Sequence, residues 1–131
     1  MNLVIQSLEA ITKPYRAPYK GFLYERILCY EFYHQFRLRM GYSSVVLHGE
    51  LEKGYRKIDD IPDFVFHVPG SDEDNFVAME FKSTNNSMTK ICKDLNKLLH
   101  FRSYPLFYQT GVFVLFGPED KLIRKLNRLS N

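Results

Sequence analysis

The stretch that decides the fold is IPDFVFHV at residues 61–68, followed by FVAMEFKS at residues 76–83. Both segments are apolar runs of strand length, rich in β-branched and aromatic residues, and the PGSDEDN between them is typical of a turn. Side chains alternate along a strand, so Glu80 and Lys82 share one face of the second segment, while Asp63 opens the first. If the two strands are adjacent with matched faces, two carboxylates and an ammonium group meet.

A helix and a strand are predicted ahead of these segments. From Phe22 to about Met40, apolar side chains recur every three to four residues, and Gly41 stands where a helix C-cap is expected. SSVVLHGEL at 43–51 predicts the first strand of a hairpin. Residues 1–21 are expected to form an arm or loop, because the prolines and glycine of KPYRAPYKG interrupt a helix.

Two helices and a strand are predicted after these segments. Ser87 can cap a helix that runs to about Arg102, and Pro118 fits the first turn of a last helix. GVFVLFG at 111–117 is typical of a strand covered on both faces. The residues expected to face inward are Ile91, Leu95, Leu98 and Leu99 in the first of these helices and Leu122, Ile123, Leu126 and Leu129 in the second, with Lys90, Lys93 and Lys97 exposed.

The predicted order of elements is αβββαβα, which favours an α/β protein with three α/β/α layers and a central mixed four-stranded sheet. With 131 residues, 45% of them hydrophobic, the chain can bury one core, so a single domain over residues 1–131 is predicted. The net charge of +3 is only a weak preference for anionic partners.

The two cysteines and the N-terminal segment bear on location. Cys29 and Cys92 lie in apolar helical stretches without paired or metal-type spacing, which favours a reducing compartment such as the cytoplasm and predicts no disulfide. No basic stretch precedes a long apolar run, so no signal peptide is expected. No segment reaches the roughly 18 apolar residues of a membrane span, so no membrane association is predicted.

The three charged residues of the strands suit a phosphodiester hydrolase. Mg²⁺ and Mn²⁺ prefer hard oxygen ligands, and Mg²⁺ takes one or two protein carboxylates, which Asp63 and Glu80 can supply. Lys82 could orient or deprotonate the nucleophile, or stabilise the transition state. Burying these charges costs several kcal/mol per ion unless each is paired or metal-bound. The pattern therefore predicts a divalent-metal site.

IPDFVF at 61–66 and AMEFK at 78–82 resemble the signature of the PD-(D/E)XK nuclease superfamily, and the predicted order of elements is similar to that family's core. The resemblance implies a restriction-endonuclease-like fold and an Mg²⁺- or Mn²⁺-dependent endonuclease acting on nucleic acid, with DNA favoured over RNA. It also implies functions for particular residues: Asp63 and Glu80 as metal ligands, the main-chain carbonyl of Phe81 as a third ligand, and Lys82 as the catalytic lysine.

The family often adds a glutamate from the first helix to these catalytic and metal-binding residues. Glu25 is the best-placed match, with Glu31 as the competitor. Glu50, on the same strand face as His48, is a further candidate metal ligand, with strand-end solvation as the alternative. The resemblance also implies a homodimer or a partner subunit.

Each candidate residue also has a simpler interpretation. Asp63 follows Pro62 and could be a turn residue, and Glu80 with Lys82 could be a surface ion pair. Glu25 at a helix start is stabilising without catalysis. His67 is interpreted as a structural histidine rather than a ligand.

The basic residues of the two later helices could bind phosphates or could form solvated helix faces. The candidates are Lys90, Lys93, Lys97, Arg102, Arg124, Lys125 and Arg128.

Two other functions compete with a nuclease. One is a non-catalytic nucleic-acid-binding or assembly module of the same fold, because the small size leaves no room for a separate recognition domain. The other is an unrelated small-molecule or protein interaction domain, suggested by the 11 Phe and 9 Tyr residues.

Overall fold

The chain is an α/β protein in the computed structural model, which describes residues 1–16, 20, 22–49, 61–71 and 73–131. Within those residues the predicted order of elements is confirmed, preceded by two further helices. The elements are α1 (Asn2–Glu9), α2 (Lys13–Arg16), α3 (Glu25–Met40), β1 (Val46–Gly49), β2 (Phe64–His67), β3 (Asn75–Ser83), α4 (Met88–Phe101), β4 (Thr110–Phe116) and α5 (Glu119–Leu129).

The strands among the described residues form one mixed four-stranded sheet of order β1-β2-β3-β4. β1 pairs with β2 and β2 with β3, both antiparallel. β4 runs parallel to β3: the N–H of Gln109 donates to the carbonyl of Asn75 where both strands begin, and the N–H of Thr84 donates to that of Phe116 where both end. α4 supplies the crossover that a parallel pair requires. The predicted meander and mixed sheet are confirmed.

The chain divides into two compact units. Unit 1 comprises Met1–Ser43, Lys82–Met88 and Leu115–Asn131, and unit 2 comprises Ser44–Phe81 and Thr89–Val114. Unit 2 therefore holds β1, β2 and nearly all of α4, together with most of β3 and β4. Unit 1 holds α1, α2, α3 and α5, and both β3 and β4 end in it.

Unit 2 has an apolar core formed by its sheet and α4. Val65 and Ala78, paired across β2 and β3, lie on the face that α4 covers. α4 turns one stripe toward this core because its buried residues recur at helical spacing. The buried cluster consists of Val65, Ala78, Leu98, Phe101, Leu106 and Tyr108, with Phe113 packed against it.

In unit 1, α1 packs against α3. α3 buries Leu28, Phe32 and Phe36, which confirms the predicted apolar stripe. The helix ends at Gly41, whose φ of 60° is a left-handed conformation that favours glycine. The predicted C-cap is thus confirmed.

The prediction that residues 1–21 form only an arm or loop is wrong. α1 spans eight of them, and its Val4 and Ser7 are buried, as is Ile11 just beyond it. These positions recur at helical spacing, so one face of the segment can pack on a neighbouring helix, and the Ser7 hydroxyl donates to the carbonyl of Leu3 at 2.7 Å. The prolines do not prevent α1 because both come after its end.

Two predictions of burial are wrong. Every residue of β4 is half-buried, because β4 is an outer strand of the sheet rather than one covered on both faces. On α4, Leu99 is 59% exposed, since the buried stripe passes through Asp94 and Leu98 instead.

α5 also differs from its prediction, because none of its residues is buried. Leu122 and Leu129 are half-buried with Lys125 between them, whereas Ile123 and Leu126 are about half exposed. The less exposed stripe at spacing i, i+3, i+7 therefore includes a lysine, and two of the four predicted inward residues lie off it.

Among the described residues, no helix combines the length and apolar character needed to cross a membrane.

Candidate functional site

Asp63 and Glu80 lie near each other where β2 begins. Asp63 directly precedes Phe64, the first residue of β2, and Glu80 directly follows Met79, the β3 partner of Phe64. The two carboxylates are close enough for the charge of Asp63 to act on the pKa of Glu80. The N–H of Phe81 donates to Asp63 Oδ2 at 2.7 Å. This hydrogen bond holds the Asp63 carboxylate at the edge of β3.

Glu80 is a buried carboxylate, with 2% of its surface exposed. Burial raises the pKa of Glu80 to about 8, and the charges of Asp63 and Asp94 add to the rise, while Lys97 opposes it. A carboxylate in such surroundings is stable when it carries a proton or meets a cation. The position therefore attracts positive charge.

Lys97 supplies one cation to this site from α4. Its Nζ lies 2.6 Å from Glu80 Oε1, an atom that has no other hydrogen-bond partner among the described residues. The same ammonium group donates to the carbonyl of Ile61 at 3.2 Å. Lys97 thus joins β3 to the segment that leads into Asp63. The prediction that Lys97 is solvent-exposed is wrong, since only 14% of its side chain is exposed.

Asp94 completes the set of charges around Glu80. It is 9% exposed and lies one helical turn before Lys97 on α4. Two carboxylates, Asp63 and Asp94, and the ammonium group of Lys97 all act on the pKa of Glu80 in unit 2.

The donor set fits Mg²⁺ or Mn²⁺. Asp63 and Glu80 offer hard oxygen atoms, and Glu80 is buried with an oxygen whose partner among the described residues is a single ammonium group. Mg²⁺ needs only one or two protein carboxylates because waters and substrate oxygens fill its other positions. The described residues contain no cluster of three or more His, Cys, Asp or Glu side chains arranged to hold a metal.

A second polar cluster lies in unit 1, around Glu25 at the start of α3. Glu25 Oε2 lies 3.7 Å from the Nζ of Lys82. Its Oε1 accepts the N–H of Ser83 at 3.2 Å and the side-chain amide of Asn86 at 2.7 Å. α3 is thus tied to the end of β3 and to the turn after it.

Glu25 and Glu31, the two candidates for the helix glutamate, have different partners in the structure. Glu25 meets Lys82, whereas Glu31 accepts a hydrogen bond at 2.8 Å from Gln35 one turn later in its own helix. Glu50 lies outside the described residues. The carbonyl of Phe81 stays a predicted ligand.

His67 is buried and paired with His48, with 2.8 Å between Nε2 of His67 and Nδ1 of His48. The partner supports the structural interpretation of His67, because a buried imidazole needs a hydrogen bond.

Sequence reasoning missed Lys97, Asp94 and Asn86 as members of these clusters. A signal existed for the first two, because Asp94 and Lys97 fall among Ile91, Leu98 and Phe101 on the buried side of α4. Charged residues at such positions are rarely buried without a partner. Asn86 has no comparable signal, since the partner that brings it into the cluster, Glu25, lies in a distant helix.

No family model, curated protein or solved structure matches this chain. The resemblance to the PD-(D/E)XK nucleases therefore rests on the residues at 61–66 and 78–82 and on the order of elements.

Proposed function

We propose that this chain is a metal-dependent nuclease that hydrolyses phosphodiester bonds, in DNA rather than RNA. The observation that carries the proposal is the proximity of the Asp63 and Glu80 carboxylates: Asp63 accepts the N–H of Phe81, the residue after Glu80, and its charge acts on the pKa of Glu80. Charges at a buried strand position are costly and need a cation, and the sequence around them resembles a nuclease signature.

The residues of the chain have separate tasks in this proposal. Asp63, oriented by the N–H of Phe81, and Glu80 hold Mg²⁺ or Mn²⁺, with the Phe81 carbonyl as a further oxygen donor. When bound, the ion lowers the pKa of a water molecule and offsets negative charge on the phosphate. Lys82 orients the nucleophile or stabilises the charge of the transition state. Glu25 sets the position of the Lys82 ammonium group.

The test is cleavage of a supercoiled plasmid and of labelled oligonucleotides in millimolar Mg²⁺ or Mn²⁺, with EDTA as the metal-free control. Asp63→Asn, Glu80→Gln and Lys82→Ala should each lower kcat by at least about 100-fold. Glu73→Gln and Lys13→Ala remove the same kinds of charge from exposed positions and should leave the rate unchanged. Undiminished cleavage by the Asp63→Asn or Lys82→Ala variant would refute the assignment.

A specific observation favours one alternative function. Because Lys97 already pairs with Glu80, the buried carboxylate is stabilised without a metal. A non-catalytic nucleic-acid-binding or assembly module would need only this ion pair, and no metal ion, to stabilise Glu80. Titration calorimetry with Mn²⁺ on the folded protein separates the two functions: heat of binding that Asp63→Asn abolishes supports the nuclease, and no binding supports the module.

The proposal also covers location and assembly. Neither Cys29 nor Cys92 forms a disulfide with a described residue, and the proposed location is a reducing compartment, the cytoplasm, with no membrane partner. A homodimer or a partner subunit is expected from the resemblance, and light scattering of the purified chain tests the first.

A further inference from the structure

A pocket lined mainly by cationic side chains lies in unit 1, between α5 and the turn after β3. Its volume is about 380 Å³, within the roughly 300–1,000 Å³ of pockets that bind small ligands or ligand groups. Among the described residues its lining contains no acidic side chain and consists of Thr84, Asn85, Lys121, Arg124, Lys125 and Arg128.

The four cationic residues form one stripe of α5. Their positions follow the spacing i, i+3, i+4, i+7, which places them on a single face over roughly 10 Å of helix. Lys121 and Lys125 donate to Asn85 Oδ1 and to the carbonyl of Asn86, at 3.1 and 2.8 Å. These bonds direct two ammonium groups toward the turn.

The charge of the stripe is only partly balanced. Arg124 pairs with Asp120 on the same helix, whereas no ion pair with a described residue is seen for Lys125 or Arg128. The stripe therefore keeps an excess of positive charge.

Thr84 adds an independent sign of a ligand. Its side chain is 3% exposed, and its Oγ1 is buried with no hydrogen-bond partner among the described residues. A Cβ at position 117 would lie 2.0 Å from that oxygen, so the glycine leaves the space that the hydroxyl occupies. Buried hydroxyl groups almost always have a partner. Thr84 belongs to the wall of the pocket, so this wall contains a polar group for which the described residues supply no partner.

We propose that this pocket binds phosphate groups of a nucleic-acid backbone. Arg and Lys groups with a hydroxyl and an amide donor are the recurrent contacts of phosphate oxygens. The four cations extend over roughly 10 Å of helix, which is longer than one phosphate group, so a polyanion can engage all four and a single phosphate cannot. The substrate class rests on the proposed function, but the binding does not require catalysis.

The experiment measures binding of a fluorescein-labelled 20-base-pair DNA duplex by anisotropy, in EDTA and over a series of NaCl concentrations. Arg124→Gln/Lys125→Gln/Arg128→Gln should weaken binding at least tenfold near 0.1 M salt and should reduce the slope of log K against log [salt] by about two to three. Thr84→Val keeps the shape beside Gly117 and should weaken binding several-fold, with an unchanged or higher Tm.

A matched control, Lys13→Gln/Arg37→Gln/Arg39→Gln, removes three exposed cations elsewhere and should change the affinity less than about threefold. If the α5 triple variant, with a wild-type circular dichroism spectrum, binds DNA as the control does, the proposal is wrong. Equal affinity for polyglutamate, or displacement of DNA by micromolar inorganic phosphate at constant ionic strength, would also overturn it, because either result assigns the pocket to another anion.

The two proposals can fail separately. The binding assay contains EDTA, so it does not depend on metal-dependent cleavage. DNA binding that requires α5 would therefore support the pocket even if the chain cleaves no DNA. Conversely, cleavage lost in Asp63→Asn together with wild-type binding by the α5 triple variant would support the nuclease and reject this pocket.

Discussion

Lys97 Nζ lies 2.6 Å from Glu80 Oε1, so α4 delivers a cation to a carboxylate that is almost completely buried in unit 2. The pair explains how the strand tolerates Glu80 at all. It also means that a divalent ion at this carboxylate has to compete with an ammonium group and with a proton. Three predictions follow from this competition.

Glu80→Gln should flatten the dependence of stability on pH. The folded-state pKa of Glu80 is raised from 4.5 to about 8, so between these values the folded state binds more protons than the unfolded state. The contribution of Glu80 is fully present below about pH 4.5 and is lost as the pH rises toward 8, by up to about 1.4 kcal/mol per pH unit. Urea unfolding at pH 5, 6, 7 and 8 measures this slope. Glu73→Gln should retain the wild-type slope, and an equal slope in Glu80→Gln would contradict the prediction.

Lys97→Met should destabilise the protein more at high than at low pH. At pH 9 the Glu80 carboxylate is ionised and would lose its partner, which costs on the order of 3 kcal/mol for a buried pair. At pH 6 the carboxyl group is largely protonated, so the loss should be smaller. Chemical unfolding at both pH values checks this, with the exposed Lys93→Met as control. A loss that is the same at both pH values would show that Lys97 acts by packing alone.

Metal affinity should rise with pH. Binding of Mn²⁺ requires the ionised form of Glu80, so below its pKa of about 8 the affinity should fall by nearly tenfold per pH unit. Calorimetry at pH 6.5 and 8 measures the change, and the rise in Tm with Mn²⁺ should disappear on addition of EDTA. The Asp63→Asn variant should show no such rise. Affinity that is independent of pH would place the metal away from Glu80.

Gly117→Ala should destabilise the protein by about 2–3 kcal/mol. Its φ of 153° is strained for an L-residue, and the added Cβ would lie 2.0 Å from Thr84 Oγ1. Gly70→Ala is the matched control: its φ of 82° is also positive, but a Cβ there meets no described residue within 4 Å, so the cost should be about 1 kcal/mol. Thermal unfolding of the two variants should rank them in this order, and equal losses would rule out the steric contact with Thr84.

Local patterns predicted the framework well. Alternating apolar residues predicted β2 and β3, and the faces they assign agree with the observed register of Val65 against Ala78. The stripe of α3 and its glycine cap were also correct. These features depend on neighbours in the sequence, and periodicity reports them directly.

Predictions failed where burial depends on a distant partner. Leu99 was predicted to be buried and is exposed, whereas Lys97 was predicted to be exposed and is largely buried. Lys97 lies inward because it forms an ion pair with Glu80. α1 forms because α3 offers a surface for Val4, and no local signal in the N-terminal segment reveals that surface.

The amino-acid sequence by itself determined the strand alternation, the helix stripes and the presence of Asp63 beside an apolar strand, because these follow from residue types a few positions apart. Only the tertiary structure decided that Lys97 of α4 meets Glu80, that Glu25 meets Lys82, and that Thr84 lies against Gly117. Those pairings join residues 17, 57 and 33 positions apart. Charge and hydrogen-bond partners at such separations are set by how elements pack, and composition and spacing carry little information about packing.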